Sequence, residues 1–206
     1  MTRPEAVIFD LGGVVLDSPL EAIARFEVES GLPSGLVGRT VVASGTRGAW
    51  ARHERGELAG DGFLDAFAAE FAAAGHEVDT RALMGRIDGS IRPRPSMLRA
   101  LRALSADGYR LAAITNNWIP FGDSPIVGHF DVFVESVVEG VRKPEPEIYR
   151  RCVGRLGVDA ESCVMLDDLG PNLKPARAMG MATIKVTSAR QALEDLGALV
   201  GLDLTG

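Results

Sequence analysis

Ala6-Val7-Ile8-Phe9-Asp10-Leu11-Gly12-Gly13-Val14-Val15 is the stretch that decides how this chain is read. Four apolar residues end on a carboxylate and turn at two glycines, the pattern of a buried strand that delivers Asp10 to a sheet edge. Ligands of open α/β sheets bind beyond the carboxyl ends of the strands, so Asp10 is expected to face a pocket. Further strand-like runs follow at Arg110–Ile114, Asp131–Glu135, Ser162–Leu166 and Ala182–Val186. Glu147–Leu156, Pro171–Gly180 and Ala189–Val200 read as helices, the first entered through Pro144 and Pro146 and closed by Gly157. This alternation predicts an α/β fold: a parallel sheet with helices on both faces and right-handed crossovers.

The interval 17–92 is far longer than a crossover needs. Its apolar residues recur at helical spacing in Leu20–Val28, Leu36–Val42 and Phe63–Phe71, punctuated by Gly31, Pro33, Gly45, Gly60 and Gly75. The expected division is a core formed by 1–16 with 93–206, and an inserted helical cap, 17–92, over the carboxyl edge of the sheet. Trp50 and His53 lie one helical turn apart there, as bundle packing or as pocket wall.

With 206 residues, 46% hydrophobic and 24% charged, the chain can bury a substantial core. Its net charge of -6 argues against a nucleic-acid or anionic-membrane partner. The arginines at 92, 94, 99 and 102 and at 150, 151 and 155 are interspersed with acids and read as solvated faces. No apolar run approaches membrane-spanning length, and Asp10 interrupts the first one too early for a secretory signal, so a cytoplasmic location is expected. Cys152 and Cys163 form no Cys-x-x-Cys pair and read as small buried hydrophobes. His53, His76 and His129 lack metal-ligand spacing, so zinc is not expected.

Chemistry gathers at the remaining strand ends. Leu111–Ile114 runs into Thr115-Asn116-Asn117, a hydroxyl and two carboxamides able to hold anionic oxygens. Lys143 precedes a helix from the same edge. Val164–Leu166 runs into Asp167-Asp168, a carboxylate pair suited to a hard cation. Each piece alone has an ordinary reading as a cap or a turn. Together, two carboxylate sites, a hydroxyl and a lysine at four strand ends would be costly to assemble without a ligand. Lysine is scarce, with Lys143, Lys174 and Lys185 the only ones among 22 basic residues, so a compact point charge at 143 reads as selected. Lys174, inside a helix, reads as a structural salt bridge.

These motifs resemble the haloacid dehalogenase superfamily, whose members are mostly Mg²⁺-dependent phosphohydrolases on a Rossmann-like sheet. The stretches Lys143-Pro144-Glu145-Pro146-Glu147-Ile148-Tyr149 and Leu166-Asp167-Asp168-Leu169-Gly170-Pro171-Asn172-Leu173-Lys174-Pro175-Ala176-Arg177 are most similar to the phosphatase domain of soluble epoxide hydrolases and the related domain fused to some acyl-CoA dehydrogenases. The resemblance implies that Asp10 attacks phosphorus to form an aspartyl-phosphate. It implies Mg²⁺ held by Asp10, the Gly12 carbonyl and Asp168, with Asp167 as a further ligand or acting through water. It implies that Thr115 and Asn116 bind the phosphoryl group, that Lys143 balances charge, and that the substrate is a small phosphorylated metabolite. Whether the cap mediates a homodimer stays open.

Many phosphatases of the superfamily carry Asp where Gly12 stands, and that Asp protonates the leaving group. Its loss removes about 10²–10⁴-fold without removing the nucleophile. Glycine also occurs at this position within the superfamily. The expectation is therefore activity on good leaving groups, or help from another residue such as Asp17 or a cap side chain. Two alternatives stand beside it: a regulatory domain that holds a phosphorylated ligand with little turnover, and a metal-independent 2-haloacid dehalogenase, which would not need Asp167-Asp168.

Overall fold

The computed structural model describes residues 3–206. Five strands form one parallel sheet: β1 (Ala6–Phe9), β2 (Arg110–Thr115), β3 (Val132–Glu135), β4 (Cys163–Asp167) and β5 (Ala182–Lys185). Their order, β3-β2-β1-β4-β5, reverses direction at β1, which makes the crevice between β1 and β4 the topological switch point of the sheet. Phe9 is in register with Ala113 on one side and Leu166 on the other, so Asp10, the end of β2 and Asp167 leave the sheet at one level.

Alternation of side chains along the strands builds two cores. Val7, Phe9, Leu111, Ala113, Val164 and Leu166 point to the face covered by α6 (Pro95–Ala106) and α10 (Ala189–Val200). Ala6, Ile8, Ala112, Ile114, Cys163 and Met165 point to the opposite face, covered by α8 (Pro146–Leu156) and α9 (Gly170–Ala178). Because both faces are covered, β1 reads as a continuous apolar run. Both cysteines are buried and free, and burial raises the Cys163 thiol to about 11.

Five helices lie between β1 and α6: α1 (Pro19–Glu29), α2 (Leu36–Ser44), α3 (Ala49–Glu54), α4 (Gly60–Ala73) and α5 (Thr80–Asp88). They enclose a separate apolar cluster that includes Phe26, Val37, Phe63, Phe67, Phe71 and Leu83. Trp118, from the loop after β2, packs against this cluster and ties the insertion to the sheet edge. A short α7 (Ser136–Glu139) follows β3.

The expected strands and helices occur with ends shifted by at most three residues, but α3, α5, α6 and α7 are additions to the sequence reading. Six residues are too few for α3 to display a helical repeat, and in α5 Gly85, Arg81, Arg86 and Asp88 break up the apolar positions. The salt bridge expected of Lys174 is absent: the residue is exposed and, among the described residues, pairs with no carboxylate. Its helical position points to solvent, away from the buried face of Leu173 and Ala176.

α2 starts after Gly35 without a side-chain cap of its own, and its first residues, Leu36 and Val37, are buried. Glu27 supplies the cap from α1, accepting from Gly35 N (2.6 Å) and Val37 N (2.8 Å). Removing a buried acceptor shared by two backbone donors costs the pairing energy of charged hydrogen bonds, about 1.5–3 kcal/mol each before relaxation. Glu27→Ala is therefore expected to lower unfolding free energy by about 2–4 kcal/mol with little change in the urea m-value. Equilibrium urea denaturation checks this.

Candidate active site

Asp10 follows β1 directly, and its Oδ1 accepts from Leu11 N at 2.6 Å. The same oxygen lies 2.7 Å from Lys143 Nζ, which also donates to Asp167 Oδ2 at 2.8 Å. Lys143 is 1% exposed and Asp167 fully buried, so this pair of contacts is shielded from water. Burial works against the Lys143 ammonium, but Asp10 and Asp167 outweigh it and hold its pKa above the usual lysine range.

Asp167 is in turn fixed from behind. Its Oδ1 accepts from Leu169 N at 2.7 Å, and Asn172 Nδ2 lies 3.1 Å from both carboxylate oxygens. Tyr149, fully buried in α8, donates its hydroxyl to the Asn172 carbonyl at 2.6 Å. The sequence reading assigned no role to Tyr149 or Asn172. Both stand in the stretches 143–149 and 166–177 that carry the resemblance, where nothing in the residue types marks either as a positioning group.

Thr115 ends β2, buried, on the strand next to the one that Asp10 follows. The Asn116 carboxamide makes a reciprocal pair with Lys143, accepting from its backbone N (2.8 Å) and donating to its carbonyl (3.0 Å). One of the two amides read as oxyanion holders thus spends its side chain on positioning the lysine. Asn117 is a turn residue, donating to Glu135 Oε1 (2.7 Å) and the Ile119 carbonyl (3.0 Å).

The two glycines differ. Gly13 has φ +78°, and a Cβ there would lie 2.2 Å from Asp168 Oδ2, so glycine is needed for the carboxylate to occupy its place. A Cβ on Gly12 would meet Pro19 Cδ at 3.4 Å, an ordinary contact.

Asp10, Asp167 and Asp168 offer ligand oxygens within 4.8 Å of one another. Burial and the neighbouring acids raise the Asp10 pKa well above the usual carboxylate value, against the pull of Lys143. Asp168 is raised by the same causes, burial first and then Asp167. Three carboxylates around a single lysine leave a surplus of negative charge, and hard oxygen donors at this spacing fit a divalent cation such as Mg²⁺.

Above Asp10 opens a cavity of about 360 Å³, walled by α1, α2 and α3 on one side and the sheet edge on the other. Its walls are mostly apolar, with Leu20, Ile23, Val37, Val41, Trp50 and Trp118 among them. A smaller hollow of about 140 Å³ adjoins it at Gly12, Pro19, Asn116 and Trp118, and includes Asp17 and Thr115. Trp50 faces the larger cavity, whereas His53 is packing: its ring stacks on Phe63 with centroids 3.7 Å apart, and burial lowers its pKa.

α3 brings one residue that the sequence reading did not single out. Glu54 is buried in the cavity wall, paired with Arg142 Nε and accepting from Trp50 Nε1 at 2.9 Å. A second ion pair, Arg55 to Glu145 at 3.4 Å, joins the end of α3 to the entry of α8.

Residues 4–180 match the family described as haloacid dehalogenase-like hydrolase. Acyl-CoA dehydrogenase family member 10 of Mus musculus is 35% identical over 97% of this chain, which spans 19% of that relative's length. Sesquiterpene phosphatase astK of Aspergillus oryzae is 28% identical, with 97% of this chain matched to 98% of the relative. Among solved structures, a haloacid dehalogenase family enzyme of Bacteroides thetaiotaomicron, in complex with magnesium and inorganic phosphate, superposes with a TM-score of 0.61 at 19% identity over 88% of this chain and 93% of that one. That likeness bears out the Rossmann-like α/β fold, and with the family match over most of its length the chain belongs to the haloacid dehalogenase-like hydrolases.

Proposed function

We propose that this hydrolase is a Mg²⁺-dependent phosphatase acting through an aspartyl-phosphate on Asp10, with substrates whose organic group is largely apolar. The observation that carries the first part is Lys143 held between Asp10 and Asp167 beside a third carboxylate. A relative named as a phosphatase over its full length supports it. The apolar cavity wall above Asp10 carries the second part.

In this reading Asp10 attacks phosphorus while Lys143 orients the carboxylate and offsets its charge. Thr115 binds a phosphoryl oxygen through its hydroxyl, and Asn116 holds the same loop to Lys143. Asp10, the Gly12 carbonyl and Asp168 hold Mg²⁺, with Asp167 behind them as counter-charge to Lys143. Mg²⁺, when bound, neutralises phosphate charge. Helices α1 to α5 act as the cap, excluding water from the reacting atoms and selecting the organic group.

The second reading, a phosphate-binding domain with little turnover, is favoured by one observation, the missing side chain at Gly12. A metal-independent dehalogenase has no such support, because the acidic trio is more than an attack on carbon requires.

Hydrolysis of p-nitrophenyl phosphate is expected to require Mg²⁺, to stop on EDTA, and to fall to background in Asp10→Asn. Phosphate binding without turnover in the wild type would favour the second reading, and chloride release from 2-chloropropionate in EDTA would establish the dehalogenase. In a series of n-alkyl phosphates, kcat/KM is expected to rise about fourfold per methylene until the cavity is filled, the equivalent of about 0.8 kcal/mol per buried CH₂. A flat series, or a preference for sugar phosphates, would contradict the apolar-substrate part alone.

A further inference from the structure

Gly12 cannot protonate a departing alkoxide, and the steps described above leave one buried carboxylate of the cavity wall unused. That residue is Glu54. We infer that Glu54 is the proton-transfer group of this site, brought by α3 into the wall of the cavity that Asp10 and Gly12 also line. The inference rests on the phosphatase reading.

Position comes first. Glu54 shares the cavity with Asp10, Gly12, Asn116, Lys143 and Asp168. Its Oε2 lies 3.4 Å from Asn116 Nδ2, the nitrogen that donates to the Lys143 carbonyl at 3.0 Å. The carboxylate therefore borders the loop that would hold the phosphoryl group.

Its hydrogen bonds fix it without exhausting it. Oε2 takes Arg142 and Asn116, whereas Oε1 accepts from Trp50 Nε1 alone and keeps capacity for a proton or a water. Burial raises the Glu54 pKa above the usual value, against the opposing charges of Arg142 and Lys143. Arrival of a phosphate dianion favours the neutral acid further, since a like charge disfavours ionisation.

The other acids nearby are less suited. Asp17 lines the smaller hollow, is half exposed, and lies 3.5 Å from Arg94 Nε. Asp88 borders the same hollow and accepts from Trp118 Nε1 at 3.3 Å. Asp167 is enclosed by Lys143, Leu169 and Asn172.

The chemistry balances with water as the sole co-reactant. As an Asp10 oxygen bonds to phosphorus, the bond from phosphorus to the ester oxygen breaks, and its electron pair goes to that oxygen. The Glu54 proton passes to the same oxygen, so an alcohol leaves. Glu54, now a carboxylate, takes a proton from water as the water oxygen attacks phosphorus. The bond from phosphorus to Asp10 breaks, its pair returns to Asp10, and inorganic phosphate is released with Glu54 protonated again.

The test compares n-hexyl phosphate, a poor leaving group, with p-nitrophenyl phosphate, a good one, in wild type, Glu54→Gln, Glu54→Asp and Asp17→Asn, all with Mg²⁺. Wild type and Asp17→Asn are expected to show kcat/KM values for the two esters within about tenfold of each other. In Glu54→Gln, kcat/KM for the hexyl ester should fall about 10²–10⁴-fold and that for the nitrophenyl ester less than about tenfold. The nitrophenyl ester should also give a burst of one nitrophenolate per enzyme, with phosphoenzyme visible by intact mass. Glu54→Asp keeps a carboxyl group to face Arg142, and should show the same selective loss in weaker form even where the Gln variant folds poorly. Equal losses on both esters without phosphoenzyme would mean that Glu54 only anchors Arg142, and would overturn the inference. So would a steep preference for the nitrophenyl ester in wild type, or one created by Asp17→Asn. A wild type inactive on both esters would instead remove the phosphatase reading, and this role with it.

Discussion

The ammonium of Lys143, buried and shared between Asp10 and Asp167 at the floor of the cavity, is the interaction on which the rest of this molecule depends. Withdrawing such charges from water costs several kcal/mol for each ion, and the attraction between them repays this only when the geometry is good and remaining lone pairs are satisfied. The surroundings meet that condition. Asn116 pins the Lys143 backbone, while Leu169 and Asn172 hold Asp167, and Tyr149 holds Asn172. A fully buried tyrosine on α8 and a strand-end amide are thus parts of one arrangement whose purpose is to keep a lysine pointed at Asp10.

The sheet makes the arrangement possible. Because β1 lies between β2 and β4 in parallel, three strand ends emerge side by side, and the order reversal at β1 leaves a crevice there with no crossover above it. Each strand contributes a different chemical type: a carboxylate, a hydroxyl with amides, and a carboxylate pair. Gly13 completes the design by vacating the volume that Asp168 needs. Backbone register therefore sets the distances, and the side-chain bonds only refine them.

How much of this could be read in advance follows from the range of each signal. β1, β4 and the helices after them were legible because apolar runs, prolines and glycines act over a few residues. Asp10, Lys143, Asp167 and Asp168 were legible because they end such runs or stand in motifs. The Asn116–Lys143 pair was not, since nothing in Thr115-Asn116-Asn117 says that one amide serves a backbone 27 residues away. Glu54 was hidden for a different reason: α3 is six residues long, too short for its spacing to show which side is buried, and the fold turns Glu54 inward.

The location of Glu54 gives the absent side chain at Gly12 a consequence beyond a weaker acid. An acid at position 12 would travel with Asp10 and be in place whether or not the helical insertion is docked. An acid on α3 is in place only when α3 is seated, and the seating is specified by contacts with the core. Arg142 pairs with Glu54, Arg55 with Glu145, and Gly56 packs so closely on the Val137 carbonyl that a Cβ there would approach it to 2.8 Å. In the proposed mechanism, nucleophile and proton donor belong to two different parts of the chain, and a poor leaving group would be expelled only when they meet. Such a division would tie the proposed chemistry to the fit of the organic group against α1, α2 and α3. In that proposal, glycine at position 12 makes turnover depend on α3 being seated against the core.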